Sequence, residues 1–210
     1  MTDYKKPDHW QLKARKEGYP ARSVYKLKEI DEKFSLFKTR GESRILDIGA
    51  APGSWSLYVL RKINAVKSGA MGKGFLAAAD LCALSREFDN GLFDNENFFF
   101  IQGDVTETEV RETLLSKGPY NVIISDVAPN TTGNHMIDSA RSLELAETVL
   151  SCAENALASG GNLAVKVFQG AGVDAILKRM KMIFTTAKSF KPQACRGESV
   201  ETYFVGLNKK

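Results

Sequence analysis

Short apolar runs alternate with amphipathic segments along most of the chain. The runs predict strands at 44–48, 74–79, 98–101, 120–124, 162–168, 186–190 and 201–207. Helical spacing of apolar residues predicts helices at 22–40, 54–60, 107–116, 139–158 and 172–184, ending at Gly41 for the first and at Gly160-Gly161 for the fourth. Alternating strands and helices predict an α/β fold with a mostly parallel, doubly wound sheet. The last two strands follow each other directly, which predicts a hairpin and an antiparallel final strand.

The ends of this pattern set the expected domain organisation. Residues 1–21 are polar and contain Pro7, Gly18 and Pro20, so we expect a basic N-terminal arm followed by a single domain over 22–210. The segment 64–74 is expected to be a flexible surface insertion, and 82–97 is expected to be irregular.

Composition narrows the class of protein. The chain has 210 residues, of which 43% are hydrophobic and 26% charged, as in ordinary globular proteins. It has no apolar run of the roughly 18 residues that a membrane helix needs, and no apolar stretch of signal-peptide type at its start. Its three cysteines are too few and too scattered for a disulfide framework or a zinc site. These features predict a cytoplasmic protein with reduced thiols.

Charge is distributed unevenly along the chain. Residues 1–40 carry 11 basic and 6 acidic side chains, and residues 178–210 carry 8 and 2, whereas the middle is acidic. Two basic ends around an acidic centre favour a polyanion that contacts surfaces built from the termini. The alternative is a solvated surface whose asymmetry has no function, and charge alone does not decide between them.

A strand, a glycine turn and a helix start follow one another at Leu46-Asp-Ile-Gly-Ala-Ala-Pro-Gly53. Such a turn lets a ligand approach backbone N–H groups at the carboxyl edge of a sheet. The loop lacks the G-x-G-x-x-G pattern of nicotinamide enzymes and the lysine of a P-loop. It suits a smaller ligand with a nucleoside and an amino-acid part, although a tight turn could need glycine for its dihedral angles alone.

Acidic residues end or follow three successive strands after this loop. Asp80 ends the second strand, Asp104 follows the third and Asp126 closes the fourth. In Rossmann-like sheets an acid at the second strand binds ribose hydroxyls, so together they favour a nucleoside cofactor. Asp80 or Asp104 alone could equally be a helix cap or a turn residue.

Two charged residues of the last strands are predicted to meet Asp126. Lys166 lies in the apolar strand Ala-Val-Lys-Val-Phe168, where a lysine is costly unless it is paired or used; the alternative is a solvated lysine on an edge strand. Glu201 opens the final strand, whose start lies beside the carboxyl ends of the parallel strands if it runs antiparallel. We therefore expect Asp126, Lys166 and Glu201 to converge on one crevice.

These segments resemble the FtsJ-like (RrmJ-like) ribosomal RNA large-subunit ribose 2′-O-methyltransferases, which use S-adenosyl-L-methionine. The resemblance spans almost the whole chain and is carried, in the family's order, by Arg22-Ser-Val-Tyr-Lys-Leu27, Leu46–Trp55, Ser125-Asp-Val-Ala-Pro-Asn130, Val165-Lys-Val-Phe-Gln-Gly170 and Glu201-Thr-Tyr203. It implies a Rossmann-like methyltransferase fold and enzymatic transfer of a methyl group to RNA.

The resemblance also implies roles for individual residues. The family's catalytic tetrad falls on Lys26, Asp126, Lys166 and Glu201, and its cofactor-binding residues fall on Gly53, Trp55, Asp80, Asp104 and Asp126. No metal is implied, because the methyl group of a sulfonium is already electrophilic. A neutral Lys166 is the expected general base for the ribose 2′-OH. The chain departs from the family at Ser54, often a second glycine, and in the insertion at 64–74.

The expected partner is RNA, bound by a monomer without a membrane. Large-subunit ribosomal RNA, or the assembled subunit, with a uridine as target, fits the short chain; tRNA and mRNA caps are the alternatives. Arg22, Tyr25, Lys26 and the arm are expected on the RNA-facing rim, with Lys191 and Arg196 opposite, although Tyr25 is equally compatible with core packing. A nicotinamide-dependent oxidoreductase and an RNA-binding protein without activity are the competing functions, and the intact tetrad argues against the second.

Overall fold

The computed structural model describes residues 8–38, 43–64 and 74–210. Its strands are β1 (Arg44–Ile48), β2 (Phe75–Asp80), β3 (Phe98–Gln102), β4 (Tyr120–Ser125), β5 (Leu157–Phe168), β6 (Phe184–Phe190) and β7 (Glu201–Lys209). Its α-helices are α1 (His9–Lys16), α2 (Val24–Phe34), α3 (Ser54–Asn64), α4 (Thr108–Ser116), α5 (His135–Ala156) and α6 (Val173–Ile183). A short 3₁₀ turn at Leu92–Asp94 lies in the segment that was expected to be irregular.

The strands form one seven-stranded sheet in the order β3-β2-β1-β4-β5-β7-β6. The pairs among β1 to β5 are parallel, and β7 runs antiparallel to both β5 and β6. This confirms the predicted fold class, including the antiparallel last strand. In consequence the start of β7 lies at the carboxyl edge of the parallel strands, where Glu201 pairs with Phe168 of β5.

Helices cover both faces of the sheet and bury two apolar cores. Side chains of α4, α5 and α6 pack on one face, and those of α1, α2 and α3 pack on the other. Alternation along each strand decides which face a residue meets. On β5, Leu163, Val165 and Val167 point into the first core, so Lys166 points to the face covered by α2.

One local expectation was wrong. The helix predicted to stop at Gly160-Gly161 ends at Ala156, and both glycines lie within β5, near the register shift opposite Tyr120. Residues 8–21 of the predicted arm lie against the domain. Helix α1 packs on the domain there, with Ala14 fully buried and Tyr19 only 6% exposed. Residues 1–7 and the greater part of the predicted insertion, residues 65–73, lie outside the described residues.

Cation–aromatic contacts explain why so polar a helix docks. The ammonium of Lys13 lies 5.4 Å from the ring of Trp10 and 4.8 Å from that of Tyr25. Lys28 of α2 lies 4.8 Å from the ring of Tyr19 and 5.1 Å from that of Tyr25. Such contacts add attraction beyond apolar burial, and they leave no periodic apolar signal in the sequence.

Candidate active site

A cavity of about 400 Å³ opens at the carboxyl edge of β1, β2, β3 and β4. Its wall includes the predicted acidic residues Asp80, Asp104 and Asp126 together with Gly49 and Ala51 of the glycine turn. The volume falls in the range of small-molecule sites. Among the described residues that line it there is no lysine or arginine, so the wall is acidic.

The glycine turn is held in place by close packing and by Asp80. Gly49 has φ +81°, and a Cβ there would lie 2.6 Å from backbone atoms of Val127, so the position requires glycine. The carboxylate of Asp80 accepts hydrogen bonds from the amides of Ala51 (2.9 Å) and Cys82 (2.8 Å). Asp80 therefore joins the turn after β1 to the end of β2.

Asp104 stabilises its own turn as well as lining the cavity. Its carboxylate accepts hydrogen bonds from the amide and hydroxyl of Thr106, at 2.8 and 2.7 Å. The turn role that the sequence left open for Asp80 and Asp104 is therefore real in both cases. It does not exclude ligand contact, because both residues also face the cavity.

The two other predicted cofactor residues do not reach the cavity wall. Gly53 (φ +107°) packs against Phe93, whose ring would meet an added Cβ at 3.0 Å. Trp55 is 2% exposed; its indole N–H donates to the backbone oxygen of Ser23 at 2.8 Å, and its ring lies 5.9 Å from that of Tyr203. Their role in cofactor binding remains a prediction.

Next to the cavity, four charged side chains form two ion pairs. Lys166 Nζ lies 3.0 Å from Asp126 Oδ1, and Lys26 Nζ lies 2.8 Å from Glu201 Oε2. All four side chains are at most 15% exposed. The convergence of Asp126, Lys166 and Glu201 on one crevice is thus as expected from the strand ends, and α2 adds Lys26 from the facing layer.

Tyr203 connects the two pairs, and it was not among the predicted site residues. It pairs with Lys166 across β5 and β7, donates from its hydroxyl to Asp126 Oδ1 at 2.6 Å, and places its ring 6.0 Å from Lys26 Nζ. The segment Glu201-Thr-Tyr203 contained the signal, because a residue two positions after Glu201 on a strand shares its face.

The mutual placement of these groups fixes their protonation. Burial alone would raise the pKa of Asp126, but Lys166, Lys26 and the Tyr203 hydroxyl bring it below its ordinary value. Burial likewise opposes the charge of Lys26, yet Asp126 and Glu201 raise its pKa. Burial and then Asp126 raise the pKa of Tyr203 well above its ordinary value. At neutral pH the cluster therefore holds a carboxylate, a neutral phenol and a protonated Lys26.

A second buried acid lies beneath the glycine turn, and it too was not predicted from the sequence. Asp47 is fully buried and accepts a hydrogen bond from the hydroxyl of Ser56 at 2.7 Å, while its second oxygen has no partner. Burial raises its pKa to about 7, with Asp126 and Asp80 adding to the effect and Ser56 opposing it. Its position within an apolar strand ahead of the glycine turn was the available signal.

Among the residues predicted on the RNA-facing rim, Tyr25 lies in the core and not on the surface. It is 4% exposed, and its ring lies 4.9 Å from that of Trp10 under helix α1. Lys191 and Arg196 are exposed on the loop between β6 and β7.

Within the described parts of the chain, no group of three or more His, Cys, Asp or Glu could hold a metal ion, and no helix is long and apolar enough to cross a membrane.

The chain matches one protein family and is similar to several named proteins. The model of the FtsJ-like methyltransferase family matches residues 19–209. The chain is 44% identical to ribosomal RNA large subunit methyltransferase E of Treponema denticola, over 99% of this chain and 97% of that protein. It is 45% identical to the protein of the same name from Oleidesulfovibrio alaskensis, over 97% and 92%.

Solved structures agree with the fold. A ribosomal RNA methyltransferase from Plasmodium falciparum superposes with a TM-score of 0.71 at 26% identity, covering 91% of this chain and 98% of that one. Human methyltransferase-like protein 13, solved in complex with SAH, superposes with a TM-score of 0.52 at 14% identity, over 82% and 74%. At that identity the second likeness concerns the fold alone.

Proposed function

Because the chain belongs to the FtsJ-like methyltransferase family, we propose that it transfers a methyl group from S-adenosylmethionine to a ribose 2′-OH of large-subunit ribosomal RNA. One observation carries the proposal: Asp126 lines the acidic cavity and also anchors the charged cluster beside it. A donor bound in the cavity and a hydroxyl bound at the cluster would therefore meet at this residue.

The residues that line the cavity fit this cofactor. Carboxylates at the ends of β2 and β3 suit ribose hydroxyls, and an acidic wall suits a cationic ligand. A nicotinamide dinucleotide carries a pyrophosphate, which the absence of Lys and Arg among the described lining residues does not favour. When bound, S-adenosylmethionine supplies an electrophilic methyl group, so that a weakly acidic hydroxyl can attack it without a metal.

The cluster supplies a base, a fixed cation and an orienting carboxylate. Lys166 serves as the general base once its ammonium has released a proton, and Asp126, 3.0 Å from that nitrogen, orients it toward the 2′-OH. Lys26 remains protonated, because Asp126 and Glu201 outweigh the effect of burial on its pKa. It therefore serves as the cation of the site, and alignment of methyl and hydroxyl contributes much of the rate.

The substrate follows from the relatives and from the charge distribution. Relatives over nearly the full length are named for the large ribosomal subunit. Residues 1–40 and 178–210 of this chain are both rich in basic side chains, as suits a polyanionic partner. The proposal includes a uridine as the target, action as a monomer, and action in the cytoplasm, where ribosomal RNA is found. A tRNA or an mRNA cap would need the same chemistry.

Mapping of 2′-O-methylated riboses in total RNA, with and without the protein, tests the proposal. We expect one large-subunit uridine to lose its methyl group in cells lacking the protein and to regain it on complementation. Methylation lost from tRNA or mRNA alone would overturn the ribosomal assignment. Calorimetry provides a second test, in which the protein should bind S-adenosylmethionine and not NAD.

A further inference from the structure

The loop over residues 191–200, here called the β6–β7 loop, leads directly into Glu201 and is bound to helix α2. Glu29 of α2 accepts hydrogen bonds from two consecutive backbone amides of the loop, Gln193 at 2.6 Å and Ala194 at 2.8 Å. Each carboxylate oxygen takes one donor. This charged, two-point contact is stronger than a pair of neutral hydrogen bonds.

One side of helix α2 contacts the β6–β7 loop and also carries Lys26, which pairs with Glu201. Lys26 and Glu29 are three residues apart on α2, which places them on one side of the helix, and Arg22 lies just before its first residue. The guanidinium of Arg22 donates to the backbone oxygen of Ala194, and Lys26 pairs with Glu201. Glu29 and Arg22 thus hold Ala194 by its amide and its carbonyl.

The point of attachment is close to Glu201 in space as well as in sequence. Ala194 is fully buried, and Cys195 is 8% exposed. Burial, followed by the nearby charge of Glu201, raises the pKa of the Cys195 thiol to about 12. The thiol therefore stays neutral, and a shift of the loop at Ala194 moves the residue next to it, which lies within electrostatic range of Glu201.

We propose that Glu29 is a positioning residue for methyl transfer. Its carboxylate fixes the β6–β7 loop on α2, and the loop sets the position of Glu201 against Lys26. Glu29 does not touch the reacting atoms. The inference rests on the proposed methyltransferase function, and it predicts that loss of Glu29 slows the chemical step through Glu201.

Single-turnover methylation of ribosomal RNA with saturating cofactor tests this role. Glu29→Ala should slow the rate about ten- to hundredfold, because small displacements of catalytic groups are that costly. Cofactor affinity should stay within about twofold, since Glu29 lies outside the cavity wall. Glu29→Gln keeps one acceptor oxygen and should recover part of the rate. Glu32→Ala removes an exposed acid from the same helix and serves as the matched control with wild-type rate.

A double-mutant cycle separates positioning from a general loss of structure. In a Glu201→Ala background, Glu29→Ala should lower the remaining rate less than about twofold, because its target is already gone. Hydrogen exchange at the amides of Gln193 and Ala194 should accelerate in Glu29→Ala and not in the control. A wild-type rate for Glu29→Ala, or an undiminished loss in the Glu201→Ala background, would overturn the role of Glu29. A wild-type protein that methylates no RNA would overturn the proposed function itself.

Discussion

Asp126 is the residue on which the two halves of the site depend. It closes β4, lines the cavity, pairs with Lys166 and accepts the hydroxyl of Tyr203. A carboxylate so buried remains ionised because two lysines and a phenol compensate for lost solvation. Substitutions at Asp126 and at Lys166 should therefore act on one unit, and their effects should not add.

The first prediction concerns the base. Lys166→Ala should retain the fold and cofactor binding and lose methyl transfer by about three orders of magnitude, the range ascribed to general-base catalysis. Lys166→Arg should be nearly as inactive, because a guanidinium stays protonated and cannot accept the proton. Single-turnover methylation with saturating cofactor measures both. Near-normal turnover by the arginine variant would show that the site needs charge rather than basicity.

A second prediction concerns the acids of the cavity. Asp104→Ala should weaken S-adenosylmethionine binding by about 1–3 kcal/mol, as expected for one lost polar contact. Asp80→Ala should weaken it at least as much, because Asp80 also holds the amides of Ala51 and Cys82. Titration calorimetry gives both affinities. If neither variant changes, the nucleoside pocket is not in this cavity.

At the scale of elements, α1 and α2 show how a polar segment becomes part of the domain. Helix α1 is anchored by Ala14 and by stacked cations and rings, and its remaining surface carries exposed basic residues. Deleting residues 1–21 would also remove Tyr19 from the core, so deletion mixes lost stability with lost RNA contact. Substitution of exposed charges is the cleaner experiment.

The third prediction therefore uses charge reversal on α1. Arg15→Glu with Lys16→Glu should weaken binding of ribosomal RNA and flatten its dependence on salt, because fewer counterions are released. Cofactor affinity should not change. Lys178→Glu with Lys181→Glu reverses two exposed charges of α6, on the opposite face of the sheet, and is the matched control. Equal losses in both double variants would mean that only net charge matters.

At the scale of the whole molecule, stability and the site share the buried acid Asp47. The folded protein holds its proton up to about pH 7, whereas the unfolded chain releases it near pH 4. The raised pKa stabilises the fold fully below pH 4, and this contribution is lost as the pH rises through about 7. The pH dependence that Asp47 gives to stability is thus opposite in sign to that of Asp126, whose lowered pKa stabilises the fold at higher pH.

The fourth prediction isolates this contribution by difference. Asparagine at position 47 cannot ionise. The free energy of unfolding of Asp47→Asn, relative to that of the wild type, should therefore rise by about 2.5 kcal/mol between pH 5 and pH 8. Urea unfolding of both proteins at several pH values measures the difference, from which the effects of shared groups cancel. A difference independent of pH would show that Asp47 is ionised in the fold.

Much of the site was predictable from the sequence, because a parallel sheet places all strand ends at one edge. Strand assignments alone were enough to predict the positions of Asp80, Asp104 and Asp126. The antiparallel direction of β7 placed Glu201 at the same edge. Period-two alternation put Lys166 on a definite face. These predictions depend on local patterns and on a topological rule, and neither requires knowledge of side-chain packing.

The contacts that the helices on the facing layer make with the site could be known only from the tertiary structure. The hydrogen bond between Lys26 and Glu201 joins residues 175 positions apart, and that between Glu29 and Ala194 spans 165. The docking of α1, the burial of Tyr25 and the hydrogen bond from Trp55 to Ser23 likewise depend on how helices pack on the sheet. Local sequence patterns specify which face of an element is apolar, but the partner that a polar side chain meets is fixed by packing between distant segments.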